Sequence, residues 1–79
     1  MNQEMKGKLR RQAAGFEARE FEAYLSAIEA SYARRSRQPG ASDEDDLFEW
    51  MLEDVLPDGA DEDLEGRVML LLDAWLDLV

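Results

Sequence analysis

Apolar side chains recur at helical spacing through the first 37 residues, a stretch that contains no proline. A stripe at i, i+4, i+7 and i+11 consists of Phe21, Leu25, Ile28 and Tyr32. An earlier stripe of Leu9, Ala13 and Phe16 is rotated from it by about a third of a turn, at about 100° per residue. Gly15 lies where the stripes meet. We predict a long first helix over residues 4–37, kinked or frayed near Gly15.

The chain then turns at residues 38–41, Gln-Pro-Gly-Ala, because proline cannot continue a helix and glycine readily adopts a left-handed conformation. Ser42 is placed to cap a second helix, and Asp45 completes an acidic variant of the capping box. A broad apolar face follows, formed by Leu47, Phe48, Met51, Leu52, Val55 and Leu56. We predict this helix over residues 43–56, with Glu49, Glu53 and Asp54 toward water.

A second turn, Pro-Asp-Gly-Ala at residues 57–60, precedes Asp61, which can cap a third helix over residues 61–78. From Val68 to Val79 the only charged residues are Asp73 and Asp77, on a single stripe. A helix that is apolar nearly all round is usually buried on several sides, and a short chain has little protein to cover it. The pattern predicts either an intermolecular interface or a shallowly embedded C-terminus. The expected oligomer interface consists of Val68, Leu71, Leu72, Trp75, Leu76 and Val79.

Together these elements predict an all-α fold, a small three-helix bundle with a long first helix, and dimerisation through the C-terminal helix as a further expectation. Residues 1–79 are expected to form a single domain. A chain of this length buries only about 60% of its unfolded surface, so the core is modest.

The amino-acid composition lacks two residue types on which many enzymes depend. The chain has no Cys and no His, so it lacks a thiolate zinc site, the commonest metal ligand and the usual general base. The acidic clusters do not match the 12-residue ligand frame of a calcium loop. We expect no metal, no cofactor and no catalysis, and we interpret Asp73 and Asp77 as an exposed helix edge rather than an acid–base pair. No apolar run approaches a signal or membrane-spanning segment, which favours the cytoplasm.

Charge is divided unevenly along the chain. Residues 1–38 carry eight Lys or Arg against five Glu, and residues 39–79 carry one Arg against fourteen Asp or Glu, for a net charge of −10. Carboxylates at helix starts can have a purely local role, worth about 0.3–1 kcal/mol each. That role does not explain why residues 39–79 have almost no Lys or Arg, since helical surfaces usually carry both positive and negative side chains. Such a field repels nucleic acid and favours basic protein surfaces.

We therefore predict a non-enzymatic, acidic protein-binding module that docks on a basic, nucleic-acid-binding site of a larger partner. Trp50 is the expected anchor, because tryptophan is frequent at interface centres. The expected partner-binding residues are Asp43, Glu44, Asp45, Asp46, Glu49, Trp50, Glu53, Asp54, Asp58, Asp61, Glu62 and Asp63. In size, charge and lack of cysteine the chain is similar to phage-encoded inhibitors, including DNA-mimicking anti-CRISPR proteins.

Two further resemblances cover the second half of the chain. Residues 46–52, Asp-Leu-Phe-Glu-Trp-Met-Leu, followed by Pro57 and by Asp-Glu-Asp-Leu at 61–64, resemble the small bacterial flavinylation factor that assists succinate dehydrogenase. The Arg-Gly-x-x-Glu motif of that family has no counterpart at residues 14–18, Ala-Gly-Phe-Glu-Ala. The resemblance implies an alternative, an assembly factor or adaptor that binds through the apolar face of the third helix.

Acyl carrier proteins are the other family with a similar length, charge and helical character. Gly-Ala-Ser at residues 40–42, before an acidic helix, resembles their phosphopantetheine site. The Asp-Ser-Leu signature is replaced here by Ala-Ser-Asp, and a capping role accounts for Ser42.

Overall fold

The computed structural model describes residues 2–13 and 15–79, which form four α-helices and no strand. Helix α1 spans Gln3–Gln12, α2 spans Ala18–Arg35, α3 spans Glu44–Val55 and α4 spans Glu62–Leu78. The all-α prediction is confirmed, and the predicted number of three helices is wrong by one. Ala14, within the segment compared with the flavinylation-factor motif, lies outside the described residues.

The predicted first helix is two helices because its two apolar stripes pack in different places. The backbone of α1 ends with the Ala13 N–H donating to the Leu9 carbonyl at 2.8 Å. Helix α2 then begins afresh with a capping box, in which the Glu17 N–H donates to Glu20 Oε1 at 3.3 Å. Helix α1 packs on α4, whereas α2 packs on α3. A single straight helix could not bury both stripes, and the chain breaks between them.

One apolar core joins all four helices. Its buried residues are Leu9, Ala13, Phe16, Phe21, Leu25, Ile28, Leu47, Met51, Val55, Val68, Leu71, Leu72, Ala74 and Trp75. Helix α4 packs against both α1 and α3. The separate α1 therefore supplies the cover that a three-helix arrangement lacked, which explains why α4 is apolar on most of its circumference. The molecule is flat, with Cα extents of 34 × 31 × 16 Å.

Side-chain caps fix where α3 and α4 begin. Asp43, not Ser42, caps α3, and its Oδ1 accepts from the Asp45 N–H at 3.0 Å and the Asp46 N–H at 3.4 Å. The predicted Ser42 cap is therefore wrong by one residue. Asp61 caps α4 as predicted, accepting from the Leu64 N–H at 2.8 Å. Both helices start within one residue of their predicted positions.

Arg67 fastens the corner between α1 and α2 onto α4. Its Nη1 donates to the Gly15 carbonyl at 2.7 Å, and its guanidinium lies 5.4 Å from the centroid of the Phe16 ring. The same side chain forms an ion pair with Asp63 at 3.3 Å. Arg67 is the only Lys or Arg after residue 37, and all of its described contacts serve the fold.

Two glycines near this corner should respond to alanine with opposite signs. A β-carbon at Gly66, within α4, would meet no atom within 4 Å, so Gly66→Ala should raise the free energy of unfolding by about 0.5–1 kcal/mol. A β-carbon at Gly15 would lie 2.6 Å from Arg67 Cδ, so Gly15→Ala should lower it by about 1 kcal/mol. Urea denaturation of both variants measures the two effects. Shifts of the same sign would contradict this account of the corner.

Candidate functional site

The first turns of α3 and the C-terminal half of α4 border a groove of about 320 Å³, here called the acidic groove. Its lining residues are Tyr32, Glu44, Asp45, Leu47, Phe48, Asp73, Leu76, Asp77 and Val79. Four of these are carboxylates, and the other five provide an apolar and aromatic floor. Within the described part of the chain, none of the four carboxylates pairs with a Lys or Arg. The groove thus combines uncompensated negative charge with exposed apolar surface.

Local helix geometry places the two acidic walls. The Asp43 cap fixes the first turn of α3, so Glu44 and Asp45 flank one side of the groove. On α4, Asp73 and Asp77 lie four residues apart and therefore on the same face. Packing of α3 against α4 brings the walls to one groove. No short sequence motif contains both walls, because they are separated by a turn and most of two helices.

The floor of the groove rests on the core. Tyr32 comes from α2, and its ring packs edge-on against Trp75, with the ring centroids 5.1 Å apart and an interplanar angle of 68°. Leu47 is buried, whereas Phe48 and Leu76 are partly buried and Val79 is 62% exposed. The floor is therefore supported from beneath and open to solvent above.

A second, shallower depression adjoins the acidic groove and is here called the apolar shelf. Its residues are Phe48, Gly66, Met69, Leu70 and Asp73, of which Phe48 and Asp73 also line the groove. Leu70 is 61% exposed and Met69 is 39% exposed, and they are two of the three large apolar residues that are exposed in the described chain. The groove and the shelf thus form one continuous surface across α3 and α4.

The structure divides the predicted acidic residues into separate groups. Glu44 and Asp45 line the groove, whereas Asp43 and Asp61 cap helices and Asp63 pairs with Arg67. The remaining exposed members, which line neither depression, are Asp46, Glu49, Glu53, Asp58 and Glu62. Sequence reasoning did not include Asp73 and Asp77 in the site. The sequence does mark these two residues, because they are the only charged ones between Val68 and Val79.

Asp54 was predicted to face a partner, but it is held inside the fold. Arg35 donates from Nη2 to Oδ1 at 2.7 Å and from Nε to Oδ2 at 2.8 Å, and the buried Ser31 hydroxyl donates to Oδ2 at 2.8 Å. Arg34 Nη2 also donates to Oδ2, at 3.0 Å. The hydrogen bonds from Arg35 hold the pKa of Asp54 far below its usual range and outweigh burial, which acts in the opposite direction. The same bonding raises the pKa of Arg35. Asp54 therefore joins α3 to α2 and is not available to a partner.

The predicted oligomer interface is placed mostly in the core. Val68, Leu71 and Leu72 are fully buried and Trp75 is 5% exposed. An interface built from these four has no surface on the folded chain, because the core that α4 forms with the other helices covers them. Dimerisation through the helix is thus unsupported, and an oligomer contact stays a prediction for the remaining two members, Leu76 and Val79.

Trp50 is half-buried beside the turn between α2 and α3. A β-carbon at Gly40, where φ is +91°, would lie 3.5 Å from Trp50 Cη2. The indole therefore packs over a turn that requires glycine, and its predicted contact with a partner stays a prediction.

Among the described residues, no group of three or more Asp and Glu is arranged to hold a metal ion, and none of the four helices is long and apolar enough to cross a membrane. No protein-family model, curated protein or solved structure matches the chain. The resemblances based on short motifs therefore stay predictions.

Proposed function

We propose that this chain is a non-enzymatic protein-binding module whose α3–α4 surface docks on a basic surface of a larger protein. The observation that supports this proposal is that the negative charge of that surface is not balanced by Lys or Arg. Residues 39–79 contain fourteen carboxylates and one cation, Arg67, which is already engaged by Asp63 and Gly15. Asp54 is the carboxylate that α2 neutralises. Apart from Asp54 and Asp63, the acids of residues 39–79 form no ion pair within the described chain and can act on an approaching protein.

A basic site built for nucleic acid is the partner surface that this charge fits best. Its Lys and Arg side chains bind phosphates, and carboxylates on a small rigid protein can occupy the same positions. The chain itself, at a net charge of −10, repels nucleic acid. In this form of the proposal, the protein is a phage-type inhibitor that competes with DNA or RNA in the cytoplasm.

Salt and nucleic acid are the two variables that test the proposal. The immobilised protein is exposed to a nuclease-treated bacterial lysate, and retained proteins are eluted stepwise with salt or with short duplex DNA. We expect a nucleic-acid-binding protein to elute both at moderate salt and with DNA, because exposed charge pairs are screened and the DNA competes for the site. Partners that remain bound at high salt and are not eluted by DNA would contradict the proposal.

Charge reversal at the start of α3 should weaken that interaction. Asp45→Lys with Asp46→Lys is expected to reduce affinity for the captured partner by about tenfold or more, chiefly through association rate and salt dependence. Glu4→Lys with Glu29→Lys changes net charge equally, and Glu4 lies in the first turn of α1 as Asp45 and Asp46 lie in that of α3. Surface plasmon resonance compares the two pairs. Equal losses would show that only total charge matters.

The exposed apolar shelf favours a second candidate function, an adaptor or assembly factor that binds through α4. The residues available for this are Met69 and Leu70 rather than Leu72 and Trp75, which lie in the core. Burial of apolar surface survives high salt, so binding of this kind should be lost in Leu70→Ser and retained in the Asp45 and Asp46 variants.

A further inference from the structure

The four acids of the groove differ from one another in their relation to the helix dipole. Glu44 and Asp45 lie in the first turn of α3, where negative charge is locally favourable. Asp77 lies in the last turn of α4, and Asp73 is one turn earlier. Near that end the helix dipole favours cations, and like charges four residues apart repel. The helix dipole therefore favours the negative charges of Glu44 and Asp45. The dipole and the i,i+4 repulsion both disfavour those of Asp73 and Asp77.

The surroundings of Asp73 and Asp77 increase this opposition. Both line the groove that Glu44 and Asp45 also line, and no described Lys or Arg lies in it. The four carboxylates thus share one surface beside the apolar floor that Phe48 and its neighbours form. The fold alone would be better served by a neutral or cationic residue at these positions. A cationic ligand would remove the repulsion that the fold leaves in place.

Helix α1 shows how this chain already accommodates a basic, partly apolar segment. Leu9 is fully buried, and the charged residues around it remain at the rim. Lys6 pairs with Glu22 at 3.3 Å, and the Arg10 guanidinium lies 5.4 Å from the centroid of the Phe21 ring. A short basic helix with an apolar side chain among its cations thus packs on the rest of this chain, to which it is also joined covalently.

We propose that the acidic groove binds a basic amphipathic segment of the partner protein, with a large apolar side chain on the floor and Lys or Arg side chains against the carboxylates of both walls. This inference rests on the proposed function and locates it: the groove, rather than the acidic surface as a whole, determines the affinity. The apolar floor adds a requirement that a phosphate backbone does not meet. A partner segment must carry both cations and an apolar side chain.

Synthetic peptides test the inference even while the partner protein is unidentified. A Lys–Leu peptide of about four helical turns is titrated into the protein by calorimetry, beside a Lys–Ser peptide of equal charge and a Glu–Leu peptide of equal apolarity. We expect the Lys–Leu peptide to bind at least about tenfold more tightly than the Lys–Ser peptide, and the Glu–Leu peptide not to bind. The largest amide chemical-shift changes should fall at residues 44–48 and 73–79. Equal binding of both Lys peptides, or shifts centred elsewhere, would overturn the inference.

Two charge-reversed double variants separate the groove from the total charge. Asp73→Lys with Asp77→Lys should lower affinity for the Lys–Leu peptide by about tenfold or more. It should also raise the thermal unfolding midpoint, because cations suit the C-terminal end of the helix dipole and share the groove with the opposite charges of the α3 wall. Glu49→Lys with Asp58→Lys changes net charge equally at exposed positions outside the groove, and it should lower affinity by less than about threefold. The gain in stability shows that lost binding in the groove variant is not unfolding.

The outcomes distinguish this inference from the proposed function. If both double variants weaken binding equally while a salt-sensitive basic partner is still captured, the groove inference fails and the proposed function stands. If no basic probe binds the unaltered protein in a salt-sensitive way, both fail.

Discussion

Leu72→Ala is expected to lower the free energy of unfolding by about 3 kcal/mol, because the leucine is fully buried and its removal leaves a cavity where α4 meets the other helices. The free energy of unfolding of a domain of 79 residues is only about 4–12 kcal/mol in total. The substitution should therefore remove a large share of the stability. Urea denaturation followed by circular dichroism measures it.

Leu70→Ala is the matched control for this change. It is the same substitution on the same helix, two residues away, at a side chain that is 61% exposed. We expect a change within about 0.5 kcal/mol, since surface substitutions outside special features rarely exceed that. Comparable losses in the two variants would contradict the assignment of Leu72 to the core and would restore α4 as a surface for other chains.

Helices α3 and α4 could be predicted closely because their limits are encoded locally. Each has a turn before it and an acidic cap, and Gly40 and Gly59 adopt the positive φ values that turns with glycine favour. The boundary between α1 and α2 is different. The rotation between the two apolar stripes was visible, but periodicity does not tell a kink from a break. That depends on whether α1 finds a second surface, which α4 provides.

The interpretation of α4 shows the same limit. Its apolar circumference predicts burial on several sides, which the structure confirms. A single long first helix leaves one of those sides uncovered and so predicts a second copy, whereas a separate α1 covers it within the chain. The acidic groove could not be derived from the sequence for a related reason. Asp73 and Asp77 stood out as charges in an apolar stretch, yet only packing places them beside Glu44 and Asp45.

The role of Asp54 could not be predicted from the charge pattern. In the sequence it is one of fourteen similar carboxylates, and nothing in its local spacing distinguishes it from Glu53. In the structure it accepts hydrogen bonds from three side chains of α2. The cluster of arginines at the end of α2, which could be explained by the helix dipole alone, therefore also has a tertiary role.

Asp54→Asn is expected to lower the free energy of unfolding by about 2 kcal/mol at neutral pH, because hydrogen bonds to a charged group are lost and the Ser31 hydroxyl keeps a poorer acceptor. Glu53→Gln removes one negative charge from the adjacent, exposed position and should change it by less than about 0.5 kcal/mol. Thermal or urea denaturation of the two variants compares a carboxylate that joins helices with one that does not.

Acidification should reduce the difference between the unaltered protein and Asp54→Asn. The folded-state pKa of Asp54 lies well below the ordinary aspartate value of about 3.9, so its contribution is complete above about pH 5. As the pH falls below that range, the unfolded chain takes up a proton that the folded chain does not, and the contribution declines. The unaltered protein should therefore lose a growing share of its advantage over Asp54→Asn as the pH falls from about 5 to about 2. A difference for Asp54→Asn that is constant across this range would show that the carboxylate acts through its shape rather than its charge.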